Sequence, residues 1–173
     1  MTELKAIYLV VSGASSARIV PELLEELPQF GLPVYTILTE NALNVISPYN
    51  LVDQQGHTLI DSYFDPVMVD ERAPGLTLVA PATFNTLNKI SQGIADTLAH
   101  SLVAEAIGAG WPVIVAPSMN QALFNHPQVA TSVKTLRTWG VTILEPFPDG
   151  DLLVMASVGK IIDTIQEKLV PSS

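Results

Sequence analysis

The chain has 173 residues, 48% of them hydrophobic and 14% charged, and carries a formal net charge of −9 at neutral pH. This size and composition suit one domain with a sizeable core, and the negative charge argues against nucleic acid as a partner. Cysteine is absent, which excludes disulfides, thiolate metal sites and a cysteine nucleophile.

Glu3 and Lys5 precede an apolar run too short to span a bilayer, so no targeting or membrane segment is expected, and a cytoplasmic location is. That run, "AIYLVV" from Ala6 to Val11, predicts a first strand ending at the turn "SGASS". In "ARIVPELLEEL" the apolar Ile19, Leu23 and Leu27 recur every four residues, while Glu22, Glu25 and Glu26 face away. The pattern predicts an amphipathic helix, with Pro21 admissible only in its first turn. "VYTIL" is a second strand running up to Thr39. Strand, turn, helix and strand make a βαβ unit and hence a parallel sheet.

"NALNVIS" and "PYNLVDQQG" read as short helices, and the stretch 57–75 has no clear period. "LTLVA" is a strand, "NTLNKISQ" a helix stopped by Gly93, and "DTLAHSLVAEAIGAG" a longer helix in which Asp96 looks like the N-cap. "PVIVA" (strand), "PQVATSVKTLRTWG" (helix), "VTIL" (strand) and "GKIIDTIQEKLV" (helix) follow, and 171–173 reads as a frayed tail. The alternation indicates an α/β fold: a single Rossmann-like, flavodoxin-like domain over 1–173 with a doubly wound parallel sheet.

Ligands of such sheets collect at the carboxyl ends of the strands. The first end offers Gly13, Ala14, Ser15 and Ser16, a candidate phosphate site before a helix, although Ser15 or Ser16 could serve only as an N-cap. Gly13 is the only glycine in this turn, so a GxGxxG dinucleotide fingerprint is missing. Thr39 at the second strand end favours a single terminal phosphate, whereas Glu40 beside it keeps an NAD reading open. Two further ends echo one another, "LVAPATFN" and "IVAPSMN". In the first, Pro81 is expected to end the ladder and turn the chain, and Ala82 to leave room for a planar ring. Thr83 and Asn85 could bond a polar ring edge or could cap the helix, with Lys89 solvated. In the second, Met119 offers a soft apolar contact beside Ser118, and Asn120 a partner for a substrate carboxylate or amide. His57, His100 and His126 lack metal-ligand spacing and read as structural, as do Trp111 and Trp139; no metal site is expected.

"APATFNTLNKISQGIADTL" followed by "VIVAPSMNQALFNHP" resembles the homo-oligomeric flavin-containing cysteine decarboxylases, among them the phosphopantothenoylcysteine and lantibiotic-peptide decarboxylases. The resemblance runs from Ala6 to about Leu144 and is strongest from Leu76 to Pro127. It implies FMN as cofactor, a trimer or a dodecamer built of trimers, and FMN at the subunit contact. By position, Gly13, Ala14, Ser15 and Thr39 would hold the phosphate, and Pro81, Ala82, Thr83 and Asn85 would line the ring near Ser118 and Met119. Asn120 would face the substrate. The family's Pro-x-Met-Asn-x-x-Met-Trp motif is met at Pro117, Met119 and Asn120, whereas Leu123 and Phe124 replace its last two residues. The family's histidine thirteen residues before Ala80 is Val67 here, and its C-terminal flap cysteine is absent.

The resemblance implies a flavin-dependent oxidoreductase or decarboxylase-like enzyme acting on a small thiol or peptide-like substrate. A non-catalytic FMN-binding or regulatory scaffold is the alternative, favoured by Val67. An NAD-type dehydrogenase is a third reading. Flavin prenyltransferases share the wording of the first turn but not "APSMN".

Overall fold

In a computed structural model, residues 3–52, 54–69 and 72–169 are described. In chain order they form β1 (Ala6–Val11), α1 (Val20–Glu26), β2 (Val34–Leu38), α2 (Tyr49–Val52), β3 (Thr58–Leu59), α3 (Pro66–Val69) and β4 (Gly75–Ala82). Then come α4 (Phe84–Ser91), α5 (Leu98–Gly108), β5 (Val113–Pro117), β6 (Met119–Asn120), α6 (Gln121–Phe124) and α7 (Pro127–Thr138). β7 (Thr142–Ile143), β8 (Phe147–Asp149), β9 (Leu152–Val154) and α8 (Val158–Leu169) complete the order.

The central sheet has six parallel strands in the order β3-β2-β1-β4-β5-β7. Side chains alternate along each strand, and both faces are covered. Ile7, Leu9 and Val11 of β1, with Leu76 and Leu78 of β4, join Leu23, Leu24, Ile161 and Ile165 from α1 and α8 in one core. Val10, Val79, Val113 and Val115 point the other way, into a second core with Leu87, Leu102, Val103 and Leu136 from α4, α5 and α7. This is the doubly wound arrangement that the continuous apolar runs predicted. Strand order reverses between β1 and β4, which opens a crevice at their carboxyl ends.

Several local expectations are corrected. The first helix is not one α-helix: a 3-10 turn, Ser15–Ile19, precedes α1, and a second, Leu27–Phe30, follows it. Pro21 lies in the first turn of α1, where its missing N–H costs nothing. Residues 40–44 form a 3-10 turn, and among the described residues of "PYNLVDQQG" the helical ones are Tyr49–Val52. Too few residues are available there to overcome helix nucleation. The stretch 57–75 contains the edge strand β3, the one-turn α3 and the start of β4.

Pro81 does not end the ladder. β4 continues through Pro81, whose peptide bond with Ala80 is cis, to Ala82, which pairs with Pro117 after a register irregularity. A proline lacks a donor but keeps its acceptor, and the Pro81 carbonyl receives both the Ser12 N–H (3.2 Å) and the Ser12 hydroxyl (2.7 Å). Thr97, not Asp96, caps α5, its hydroxyl accepting from His100 N–H. Asp96 instead pairs with Lys89 at 2.6 Å, so Lys89 is not merely solvated. The antiparallel sheet β6-β9-β8 has no counterpart in the sequence reading. The tail, residues 171–173, lies outside the described residues. No helix among the described residues is long and apolar enough to cross a membrane.

Candidate functional site

A cavity of about 370 Å³ opens at the strand-order reversal. That volume lies within the ~300–1,000 Å³ range of small-molecule sites. Gly13, Ala14 and Ser15 line it after β1, Thr83, Phe84 and Asn85 after β4, and Ser118, Met119 and Asn120 after β5. Leu123 and Leu152 complete the wall. None of these lining residues has an ionisable side chain.

Serine hydroxyls join the strand ends. Ser12 Oγ donates to Pro81 O and accepts from Thr83 N–H at 2.9 Å, which fixes the exit of β4 against that of β1. Ser16 Oγ lies 2.8 Å from Ser118 Oγ and accepts the Met155 N–H at 3.3 Å, so the first turn, the end of β5 and the segment after β9 meet at one buried hydroxyl. Ser16 is therefore neither free nor an N-cap, and no side chain caps the turn that starts at Ser15. The first N–H groups of such a turn have no internal partner, which suits an anion.

Gly13 serves the fold directly. A Cβ there would stand 2.6 Å from the Asn41 carbonyl oxygen, so the turn after β1 and the 40–44 turn approach too closely for any other residue. Thr39, at the head of that second turn, donates its N–H to Val11 O at 2.9 Å. Its hydroxyl is enclosed with no hydrogen-bond partner among the described residues. An orphaned buried hydroxyl is costly in a folded chain and marks a place where a ligand could supply the partner.

Thr83 caps α4, its Oγ1 accepting from Thr86 N–H at 3.3 Å, which is the helix-capping alternative. Phe84 packs edge-on to His126, ring centroids 5.4 Å apart. His126 in turn caps α7. Asn120 Oδ1 accepts the Leu123 N–H at 2.8 Å and thereby caps α6, which leaves the two amide N–H donors and the second lone pair of Oδ1 for a ligand. β6 is held in place by β9, with Asn120 opposite Leu152 and Met119 opposite Leu153.

Of the residues nominated from the sequence, Gly13, Ala14, Ser15, Thr83, Asn85, Ser118, Met119 and Asn120 meet at this cavity. Pro81 and Ala82 do not line it: both are fixed in the β4 ladder, and Ala82 O accepts from Ser118 N–H. Thr39 lies outside the lining as well. Phe84, Leu123 and Leu152 were not nominated. Phe84 lies between two nominated residues, while Leu152 arrives through the β6–β9 pairing, opposite Asn120.

The remaining candidates stand apart. Val67 is half-buried against the second core, with its N–H on Asp65 Oδ1. His57 joins Thr36 Oγ1 and Leu51 O. His100 is buried, near Asp96 Oδ1 (3.2 Å) and Thr97 Oγ1 (2.8 Å). Burial holds its pKa below the ordinary value and Lys89 adds to this, against the opposing pull of Asp96. Among the described residues no cluster of His, Asp or Glu could hold a metal ion.

A family model described as Flavoprotein matches residues 1–170. The coenzyme A biosynthesis bifunctional protein CoaBC of Thermococcus kodakarensis is 34% identical, over 98% of this chain and 43% of that protein. The corresponding Bacillus subtilis protein is 31% identical, over 81% of this chain and 36% of that protein. The chain thus spans less than half the length of these relatives. A probable phosphopantothenoylcysteine decarboxylase of Streptococcus mutans is 28% identical, over 95% of this chain and 97% of its own length. Among solved structures, a PPC decarboxylase mutant complexed with pantothenoylaminoethenethiol superposes with a TM-score of 0.80 at 25% identity, covering 95% of this chain and 98% of that one. The FMN binding protein AtHal3 gives 0.79 at 25% identity, covering 94% and 95%.

Proposed function

This chain belongs to the Flavoprotein family, and from that membership we propose that it binds FMN in the cavity at the strand-order reversal and acts as a flavin-dependent, decarboxylase-like oxidoreductase. The observation that carries the reading is the cavity itself, walled by hydroxyl, carboxamide and apolar side chains without an ionisable group; outside that lining, the enclosed Thr39 hydroxyl has no partner among the described residues. The residues present fit FMN. Gly13, Ala14 and Ser15 would hold the phosphate, with Thr39 supplying the hydroxyl that lacks a partner. Thr83, Asn85, Ser118 and Met119 would border the ring. Pro81 and Ala82 would act behind it, by fixing the β4 end rather than by touching the ring.

Bound flavin would supply a two-electron acceptor. The chain's own work is then binding and orientation. Asn120, held by its cap, would direct its amide N–H groups at a carboxylate or carbonyl of a small or peptide-like substrate. No ionisable side chain lines the wall to move a proton, and Val67 offers none. The half-buried Val67 therefore favours a second reading, in which the chain holds FMN as a non-catalytic scaffold. We further propose that the protein is a homo-oligomer, with the open side of the cavity against a neighbouring copy.

Purified protein tests this directly. It should be yellow, or should quench the fluorescence of added FMN, and should elute as a trimer or a larger multiple of three. A protein that leaves FMN fluorescence unchanged but binds NADH would remove the flavin reading. Anaerobic bleaching of bound flavin by candidate thiols or peptides would separate enzyme from scaffold.

A further inference from the structure

Ser12, Ser16 and Ser118 are buried at the strand ends, and their hydroxyl protons can be followed one by one. A serine hydroxyl has one proton to donate and two lone pairs to accept with. Ser12 donates to Pro81 O and accepts the Thr83 N–H, so it is matched within the chain. Ser16 accepts the Met155 N–H at 3.3 Å, and its other partner among the described residues is Ser118 Oγ at 2.8 Å.

The pair has two possible directions. If Ser118 donated to Ser16, the Ser16 proton would be left without an acceptor, and Ser16 is only 3% exposed. A buried donor without a partner costs about 1–3 kcal/mol. If Ser16 donates, the unmatched proton is that of Ser118, which lies in the cavity wall. The second direction places the free donor where a ligand can meet it. It forms a relay: Met155 N–H to Ser16 Oγ, Ser16 O–H to Ser118 Oγ, and Ser118 O–H to the cavity. Each bond in such a chain polarises the next. Ser118 is also fixed from a second side, its N–H donating to Ala82 O at 2.9 Å.

We propose that Ser118 donates a hydrogen bond to an acceptor atom of the flavin ring, that Ser16 is the positioning residue which sets the direction of that bond, and that the relay raises the reduction potential of the flavin. The inference rests on the reading that FMN occupies this cavity, and it deepens that reading. A flavin ring gains electron density when it takes up two electrons, so a fixed donor holds the reduced ring more tightly than the oxidised one. No cationic side chain lines the cavity to exert the same effect.

The test is a double-mutant cycle on FMN-loaded protein: Ser118→Ala, Ser16→Ala and the two together. The readouts are FMN uptake by fluorescence quenching and the flavin midpoint potential against a reference dye. Ser118→Ala should weaken the binding of reduced relative to oxidised FMN about tenfold, which is a potential lower by about 30 mV for a two-electron couple. Ser16→Ala should shift the potential in the same direction, by about twofold or more in that ratio. The double variant should match Ser118→Ala, because Ser16 acts through Ser118. An unchanged potential in Ser118→Ala overturns the proposal, even where the variant unfolds more easily, since a merely structural pair would move stability alone. A shift from Ser16→Ala that persists when residue 118 is already alanine overturns the relay. Should Ser16→Ala fail to fold, the potential of Ser118→Ala decides by itself. Protein that takes up no FMN removes the flavin reading and this inference together, whereas FMN bound at an unchanged potential removes this inference and leaves that reading standing.

Discussion

Ser16 Oγ lies 2.8 Å from Ser118 Oγ, although the two serines are 102 positions apart in the chain. Both are buried, and Ser16 also receives the Met155 N–H. One hydroxyl thus joins the candidate anion turn, the strand leading to Asn120 and the segment behind the β8–β9 hairpin.

Ser16→Ala should leave two polar groups unmatched in a dry place. The expected cost is about 1–3 kcal/mol, read as a lower urea midpoint at unchanged slope. Loss of less than about 0.5 kcal/mol would show that this hydroxyl does not hold the three segments together.

Thr39→Val should separate folding from binding. Removing an enclosed hydroxyl without a partner should leave stability unchanged or raise it by up to about 1 kcal/mol. FMN affinity should nevertheless fall about tenfold or more, because a hydrogen bond to a charged phosphate is worth about 1.5–3 kcal/mol. Unchanged FMN affinity would exclude Thr39 from the phosphate site.

Asn120 has two tasks that different replacements divide. Asn120→Ala removes the α6 cap and should cost about 1 kcal/mol in thermal or urea unfolding. Asn120→Asp keeps the capping oxygen and should unfold close to the unaltered protein. Both variants should keep bound FMN yet lose flavin bleaching and carboxylate binding, since neither retains the donors. Normal bleaching in Asn120→Asp would refute the anchoring role.

Acid should destabilise the protein through His100 before it acts through the carboxylates. Its folded pKa is held below the ordinary 6.5 by burial and by Lys89. The unfolded chain then binds the proton more readily, so stability is full above about pH 6.5 and falls as pH drops toward the folded pKa. Asp96, whose pKa is lowered from 3.8 chiefly by the hydrogen bond from Lys89, adds a second loss only below that value. Urea midpoints across pH 7.5 to 5 should decline, and His100→Gln should flatten the decline. An equal decline in that variant would assign it to other groups.

Much of the fold was legible because buried parallel strands leave a plain mark. β1, β4 and β5 are continuous apolar runs, and the helices between them repeat every three or four residues. Short elements were less legible: α2 and α3 are single turns whose formation depends on what they pack against, not on their own period. Pro81 misled because the rule it follows concerns its missing donor, whereas the β4 end uses its acceptor.

The sequence by itself determined the fold class, the family resemblance and the small, uncharged residues at the strand ends, since composition and local period are properties of neighbours in the chain. Only the tertiary structure decided which of those residues share a cavity, that Thr39 keeps an orphaned hydroxyl, and that Leu152 faces Asn120. Those relationships rest on hydrogen bonds and strand pairing between distant segments, and no local pattern records where a chain will meet itself.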